Sequence, residues 1–181
     1  MAVVTDAADS TDIHPRNKVA PGERLAAWAL AKQYGKMIVY SGPLYKSMKV
    51  NGGEITFDFE FAEGGLQTPV NEPVKGFFIA GNDARFYPAE AVIDGSLITL
   101  SSTYVSAPVA VRYGNGTFFR LNLFNKAGLP AVPFRTDTFS SDTYYRLFAD
   151  SEIRRFPEAW QLDHGKLLYF GYAHGLACCG M

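Results

Sequence analysis

The chain has 181 residues, a formal charge of −1, 48% hydrophobic side chains and 14% aromatic residues. That is enough apolar material for one full core and part of a second, and too much for a disordered chain. The near-zero charge removes the electrostatic basis for binding nucleic acid or an anionic membrane, and no apolar run approaches bilayer-spanning length.

Residues 1–4 are too short for a secretory signal and lack its basic start. A polar loop, 5–18, then leads into Pro21-Gly22-Glu23-Arg24 and the alanine-rich run from Leu25 to Tyr34. Proline near the start, an acidic residue in the first turn and Gly35 just past the end predict a short helix. Leu25, Trp28 and Ala29 are expected on the face that packs against a sheet. A helix this short needs a body to lie against.

From about residue 38 to 134 the pattern is that of β structure. Ile55, Phe57, Phe59 and Phe61 alternate with Thr56, Asp58 and Glu60, the period of a strand with one wet face. Asn51-Gly52-Gly53 marks a turn after a short strand over 45–50. Further strands are predicted over 74–80, 89–93, 97–101 and 109–113. They are punctuated by Gly81-Asn82-Asp83, Asp94-Gly95 and Ala107-Pro108, a spacing that suggests an antiparallel sandwich. Asn125 and Arg135 read as structural anchors of an ordered coil over 122–137. Past residue 134 the chain turns polar, 142–156 takes a helical pattern ended by Pro157, and 167–181 is apolar and glycine-rich.

Cys178 and Cys179 are adjacent and read as small buried thiols rather than a disulfide framework. No second Cys/His pair stands at a zinc-like interval, so neither a metal site nor a cofactor is expected.

Chemistry concentrates in Asp12-Ile13-His14-Pro15-Arg16-Asn17-Lys18. A serine nucleophile needs a base within hydrogen-bond reach, and imidazole has a suitable pKa near neutrality. The base needs a carboxylate to fix its tautomer and steady the imidazolium. One short loop holding both meets the second need locally, and Pro15 restricts His14 to extended conformations. The bare Asp-x-His pattern fits equally a loop histidine bonded to a nearby aspartate.

These residues, followed by Gly22-Glu23-Arg24-Leu25-Ala26 and the alanine-rich helix, resemble the last catalytic block of the sialate O-acetylesterase family. Those proteins are SGNH-type, GDSL-like carbohydrate esterases. The resemblance continues through Tyr40-Ser41-Gly42-Pro43-Leu44-Tyr45, Gly76-Phe77-Phe78-Ile79-Ala80-Gly81 and Pro108-Val109-Ala110-Val111-Arg112-Tyr113. It extends through Leu123-Phe124-Asn125-Lys126-Ala127-Gly128-Leu129-Pro130 to Asp137. It implies that His14 is the general base and Asp12 the acid that orients it. The wider SGNH pattern puts the acid three residues before the histidine, where this chain has Thr11, so Asp9 and Asp6 stand as alternatives. The family's serine and oxyanion blocks lie upstream and have no match here. Ser10, Ser41 and Ser47 lack the setting of a nucleophile.

The implied fold is mainly β with flanking helices. Residues 1–36 form the end of an SGNH α/β domain, 37–137 an antiparallel β-sandwich, and 138–181 a partial helical segment. The implied function is carbohydrate O-acetyl ester hydrolysis, with the fragment inactive alone. Its partners would be an acetylated carbohydrate and an N-terminal SGNH half that supplies the serine, in a bacterial secreted or periplasmic setting.

Residues 142–181, with Asp150 to Lys166 and Tyr169-Phe170-Gly171-Tyr172, resemble the first helical segment of unsaturated rhamnogalacturonyl or glucuronyl hydrolases. That implies a fused glycosidase beginning near Asp142, without its catalytic aspartates. The alternative function is a non-catalytic sandwich that binds carbohydrate. Trp28, Tyr40, Tyr45, Phe77, Phe78, Phe86, Tyr87, Tyr104 and Tyr113 supply rings for it, but core packing explains such rings more simply.

Overall fold

A computed structural model describes residues 1–7, 16–69, 72–115 and 121–139. Asp12 and His14, the predicted helix over 142–156, both cysteines and the glycosidase-like tail lie outside the described residues.

Among the described residues one helix, α1 (Val19–Lys32), precedes ten strands. It starts before Pro21, which sits in the first turn where no intrahelical N–H is needed. Asn17 Oδ1 accepts the Val19 and Ala20 amides, both at 3.2 Å, and so satisfies two orphan donors. With that start Glu23 falls beyond the first turn. Gly35 takes φ +65° just past the end, and the Lys36 amide reaches back to the Leu30 carbonyl.

The inward face differs from the predicted one. Ala20, Arg24, Ala27, Trp28 and Ala31 form the half-buried stripe, whereas Leu25 is 60% exposed and Ala29 is exposed. At about 100° per residue, Leu25 and Ala29 stand roughly 100° or more around the helix from the centre of that stripe. Trp28 selects the face because its ring meets Tyr40 edge-on at 4.7 Å, and Tyr40 meets Phe61 at 5.1 Å.

The strands form two four-stranded antiparallel sheets. The first runs β1 (Leu44–Asn51), β2 (Glu54–Glu60), β7 (Leu97–Ser101), β6 (Glu90–Asp94). The second runs β10 (Phe134–Arg135), β8 (Ala110–Tyr113), β4 (Phe77–Ala80), β5 (Phe86–Pro88). A small pair, β3 (Leu66–Gln67) with β9 (Phe124–Asn125), completes the set. Both predicted hairpin turns are present, with Gly52 at φ +61° and Gly95 at φ +60° supplying the backbone that two-residue loops require.

β2 alternates as its sequence predicts: Ile55, Phe57 and Phe59 are buried while Thr56 and Asp58 are partly exposed. On the wet side Thr56 pairs with Thr99 and Asp58 with Lys46 across the ladder. Phe57 reaches across the core to Phe77 at 6.3 Å and Phe134 at 5.6 Å, and Phe77 leans on Tyr113 at 4.5 Å. These rings, with Ile79, Ile98, Leu100 and Val111, make the two sheets one body.

β4 and β8 are buried at every position, and their side chains are apolar or aromatic throughout except for Arg112 in β8. Their outer face holds a second small core of Phe78, Ala80, Phe86 and Ala110, against which Phe139 packs. Arg112 lies in this layer, its guanidinium 4.0 Å above the Phe86 ring. Its Nε and NH2 donate to the two oxygens of Asp137 at 2.9 and 2.8 Å, and both side chains are 1% exposed. Asp137 also accepts from Arg135 and from the Phe139 amide. Thr136 exchanges hydrogen bonds with the Val111 backbone. The segment 135–139 is therefore strapped onto β8, with Arg135 an anchor as its sequence suggests.

Burial alone would raise the Asp137 carboxyl, but the hydrogen bonds and charges of Arg112 and Arg135 outweigh it and hold it below the usual carboxylate range. A depressed folded value means its stabilisation is complete above about pH 4 and is lost as pH falls through that value. We expect Asp137→Asn to lower unfolding free energy by about 3–5 kcal/mol at pH 7, because it strands the buried Arg112 charge. Urea titrations should show the gap to wild type narrowing below about pH 4. A gap independent of pH would contradict the assignment.

Candidate functional site

Two short stretches of described chain flank the predicted Asp12–His14 block, and both are fixed to α1. On the near side, Arg24 NH1 and NH2 donate to Asp6 Oδ1 and Oδ2 at 2.6 and 2.7 Å. NH1 also donates to the Val3 carbonyl at 2.7 Å, and the Ala7 amide closes a turn on the Val4 carbonyl. On the far side Asn17 caps the helix. Both oxygens of Asp6 are thus committed to Arg24, which leaves Asp12 and Asp9 as the sequence candidates for the orienting acid. The structure does not bring Asp12, Asp9 or His14 into view, since all three lie outside the described residues.

Beside this frame α1 meets the sandwich. Tyr40-Ser41-Gly42-Pro43 runs between the helix and β1, and Ser41, Gly42 and Pro43 are all buried. Asn125, only 3% exposed, makes three hydrogen bonds there. Its Nδ2 donates to the Ser41 and Phe61 carbonyls, each at 3.0 Å, and its Oδ1 accepts the Leu129 amide at 3.0 Å. The Val132 amide donates to the Pro43 carbonyl at 2.9 Å. Gly42 is obligatory, because a Cβ there would lie 1.9 Å from the Pro130 carbonyl oxygen. Asn125 also stabilises Phe61, a bulky residue held at φ +60°, at a conformational cost of about 1–3 kcal/mol. Asn125 is an anchor, as predicted.

The small crevice at this joint, about 10 Å³, has room for one water. It is lined in part by Val3, Arg24, Trp28, Tyr40 and Pro130. It is a packing seam and not a substrate pocket. Ser41 donates its hydroxyl to the Gly42 carbonyl at 3.0 Å, and Ser47 is exposed on an edge strand. Neither has the surroundings of a nucleophile. Of the aromatics that suggested a sugar platform, Phe77, Phe78, Phe86 and Tyr113 are in the core. Tyr104, 47% exposed, stacks on Tyr87 at 5.4 Å.

α1 and the segment after it expose several large apolar side chains among their charged ones. Leu25, Leu30, Tyr34, Ile38 and Val39 are exposed, and Met37 is fully so. Sequence reasoning missed this surface, although the unbroken run Met37-Ile38-Val39 was its signal. It missed Arg24 as well, which reads as an ordinary helix-surface charge until Asp6 is seen against it.

Gly42→Ala should destabilise the chain by at least about 2 kcal/mol, and Asn125→Ala by about 2–4 kcal/mol through unpaired buried carbonyls. Thermal melts read both; wild-type stability in either variant would refute the joint's importance.

No protein-family model matches the chain, and no curated protein matches it at a significant level. Among solved structures, the chain is similar to a carbohydrate acetylesterase from Xanthomonas citri. The two share 44% identity with a TM-score of 0.70, over 76% of this chain and 32% of that one. The carbohydrate-esterase resemblance read from the motifs is therefore supported by structure, and this chain spans about a third of the length of the esterase it resembles.

Proposed function

We propose that the chain is the base-bearing part of a carbohydrate O-acetylesterase of the SGNH, sialate O-acetylesterase type. The observation that carries this reading is the 44% identity to a carbohydrate acetylesterase over three quarters of the chain. In the complete enzyme a serine Oγ attacks the acetyl carbonyl carbon while His14 takes its proton and Asp12 steadies the imidazolium. The ester C–O bond breaks, the sugar oxygen leaves with the proton from His14, and the acetyl group stays on serine. Water, deprotonated by His14, then releases acetate and restores the serine.

The serine comes from a partner domain, and the exposed apolar face of α1 with Met37-Ile38-Val39 is where that domain seats. Several large apolar side chains exposed along one stretch of chain are the kind of surface at which partners dock. The neighbour's greater length, two thirds of it unmatched by this chain, is consistent with such a domain.

Co-expression with the unmatched portion of the Xanthomonas citri esterase tests the reading. We expect the pair to release acetate from 4-nitrophenyl acetate and from O-acetyl sialate. His14→Ala should lower kcat roughly a thousand-fold or more. Leu25→Asp should abolish the gain while leaving the fold intact, since exposed substitutions normally cost within about 0.5 kcal/mol. Turnover unaffected by His14→Ala, or a silent pair, would refute the proposal.

A further inference from the structure

We propose that Tyr104, braced on Tyr87, is a stacking platform for one pyranose ring of a carbohydrate chain. The choice of a sugar as ligand rests on the carbohydrate-esterase reading. Tyr104 keeps 47% of its surface exposed while most of the chain's other rings are spent on the core. It stacks on Tyr87 with centroids 5.4 Å apart and planes inclined by 17°. Tyr87 belongs to β5 and packs against the main core, so the sandwich itself supports the pair.

The loop that carries Tyr104 is fixed as well. The Val105 amide closes a turn on the Ser102 carbonyl at 3.2 Å, and the Tyr104 amide donates to Ser102 Oγ at 3.4 Å. Val105 is buried, and the Val109 amide donates to the Ala80 carbonyl at 2.8 Å. Two turns abut this loop. A Cβ on Gly53 would stand 3.4 Å from the Ser106 carbonyl oxygen, and one on Gly81 would stand 3.5 Å from that of Ala107. Those turns bring exposed Asn51, Asn82 and Asp83 to the same end of the sandwich. A pyranose presents C–H groups on its faces and hydroxyls around its edge. A flat ring receives the former and neighbouring amides and a carboxylate the latter. Tyrosine has few side-chain torsions and stacking already sets them, so little entropy is lost on binding. A ring that only sealed the end of the core would matter to stability and not to sugar.

The test is affinity electrophoresis of this chain through gels carrying xylan, pectin or mucin, each acetylated and deacetylated. We expect retardation by at least one polymer, an affinity roughly tenfold lower in Tyr104→Ala, and retention in Tyr104→Phe, which keeps the ring. Oligosaccharides of the retarding polymer should shift the amides of Tyr87, Tyr104 and Val105 and leave those of α1 in place. Thermal melts check that each variant folds. Should Tyr104→Ala fail to fold, Tyr104→Leu keeps an apolar cover on Tyr87 while removing the flat ring. No retardation by any of the polymers, or equal retardation of wild type and a folded variant without the ring, overturns the platform. The chain is tested without a serine-bearing partner, which separates the two readings. Retardation in a chain that never supports ester cleavage counts against the esterase reading, and cleavage without retardation against the platform.

Discussion

One carboxamide, that of Asn125, ties the loop between β9 and β10 to the segments just before β1 and just after β2. Its two donors go to the carbonyls of Ser41 and Phe61 and its oxygen accepts the Leu129 amide, so its polar capacity is almost fully used in a buried site. The arrangement works only because Gly42 lets the backbone approach the Pro130 carbonyl closer than any side chain permits. The turn after β2, the entry to β1 and the loop between β9 and β10 therefore meet at one point. Removing the carboxamide would leave buried carbonyls without partners, which costs more than the bonds contribute when made.

The position of α1 follows from this joint. The helix buries none of its side chains fully and has little to stabilise it alone. It is attached through Trp28 on Tyr40, and Tyr40 is placed by the buried Ser41-Gly42-Pro43 that Asn125 secures. Lys32 lies over the same Tyr40 ring at 4.9 Å and adds a cation–π contact. The helix in turn holds Asp6 through Arg24, and Asn17 caps its first turn. The sandwich thus serves as the base on which α1 sits, with its own interior filled by Phe57, Phe77, Tyr113 and their neighbours.

Much of this was legible in the residues, for identifiable reasons. β2 and β7 were visible because one face of each is wet, so Ile55, Phe57 and Phe59 alternate with polar side chains. The hairpin glycines at 52 and 95 stood out because only particular residues tolerate positive φ. β3, β9 and β10 were not legible, being two residues long and too short for any period. β5 was hidden by Pro88, which is tolerated because β5 is a sheet edge. The face of α1 was misjudged because alanine gives little direction and a single tryptophan decided the orientation. Arg112, Asp137 and Arg24 carried no local signal at all: their partners lie 18 to 25 residues away, and pairing at that range is a property of the fold.

The central claim is that His14 is the proton acceptor for an alcohol supplied by another domain. A crystal structure of this chain bound to the serine-bearing portion, trapped with a phosphonate on the serine, tests it most directly. The account predicts an imidazole nitrogen about 2.6–3.2 Å from the serine or phosphonate oxygen, with Leu25 of α1 and Val39 after it buried against the partner. An imidazole turned into the sandwich, or a complex that leaves that helix face bare, would contradict it.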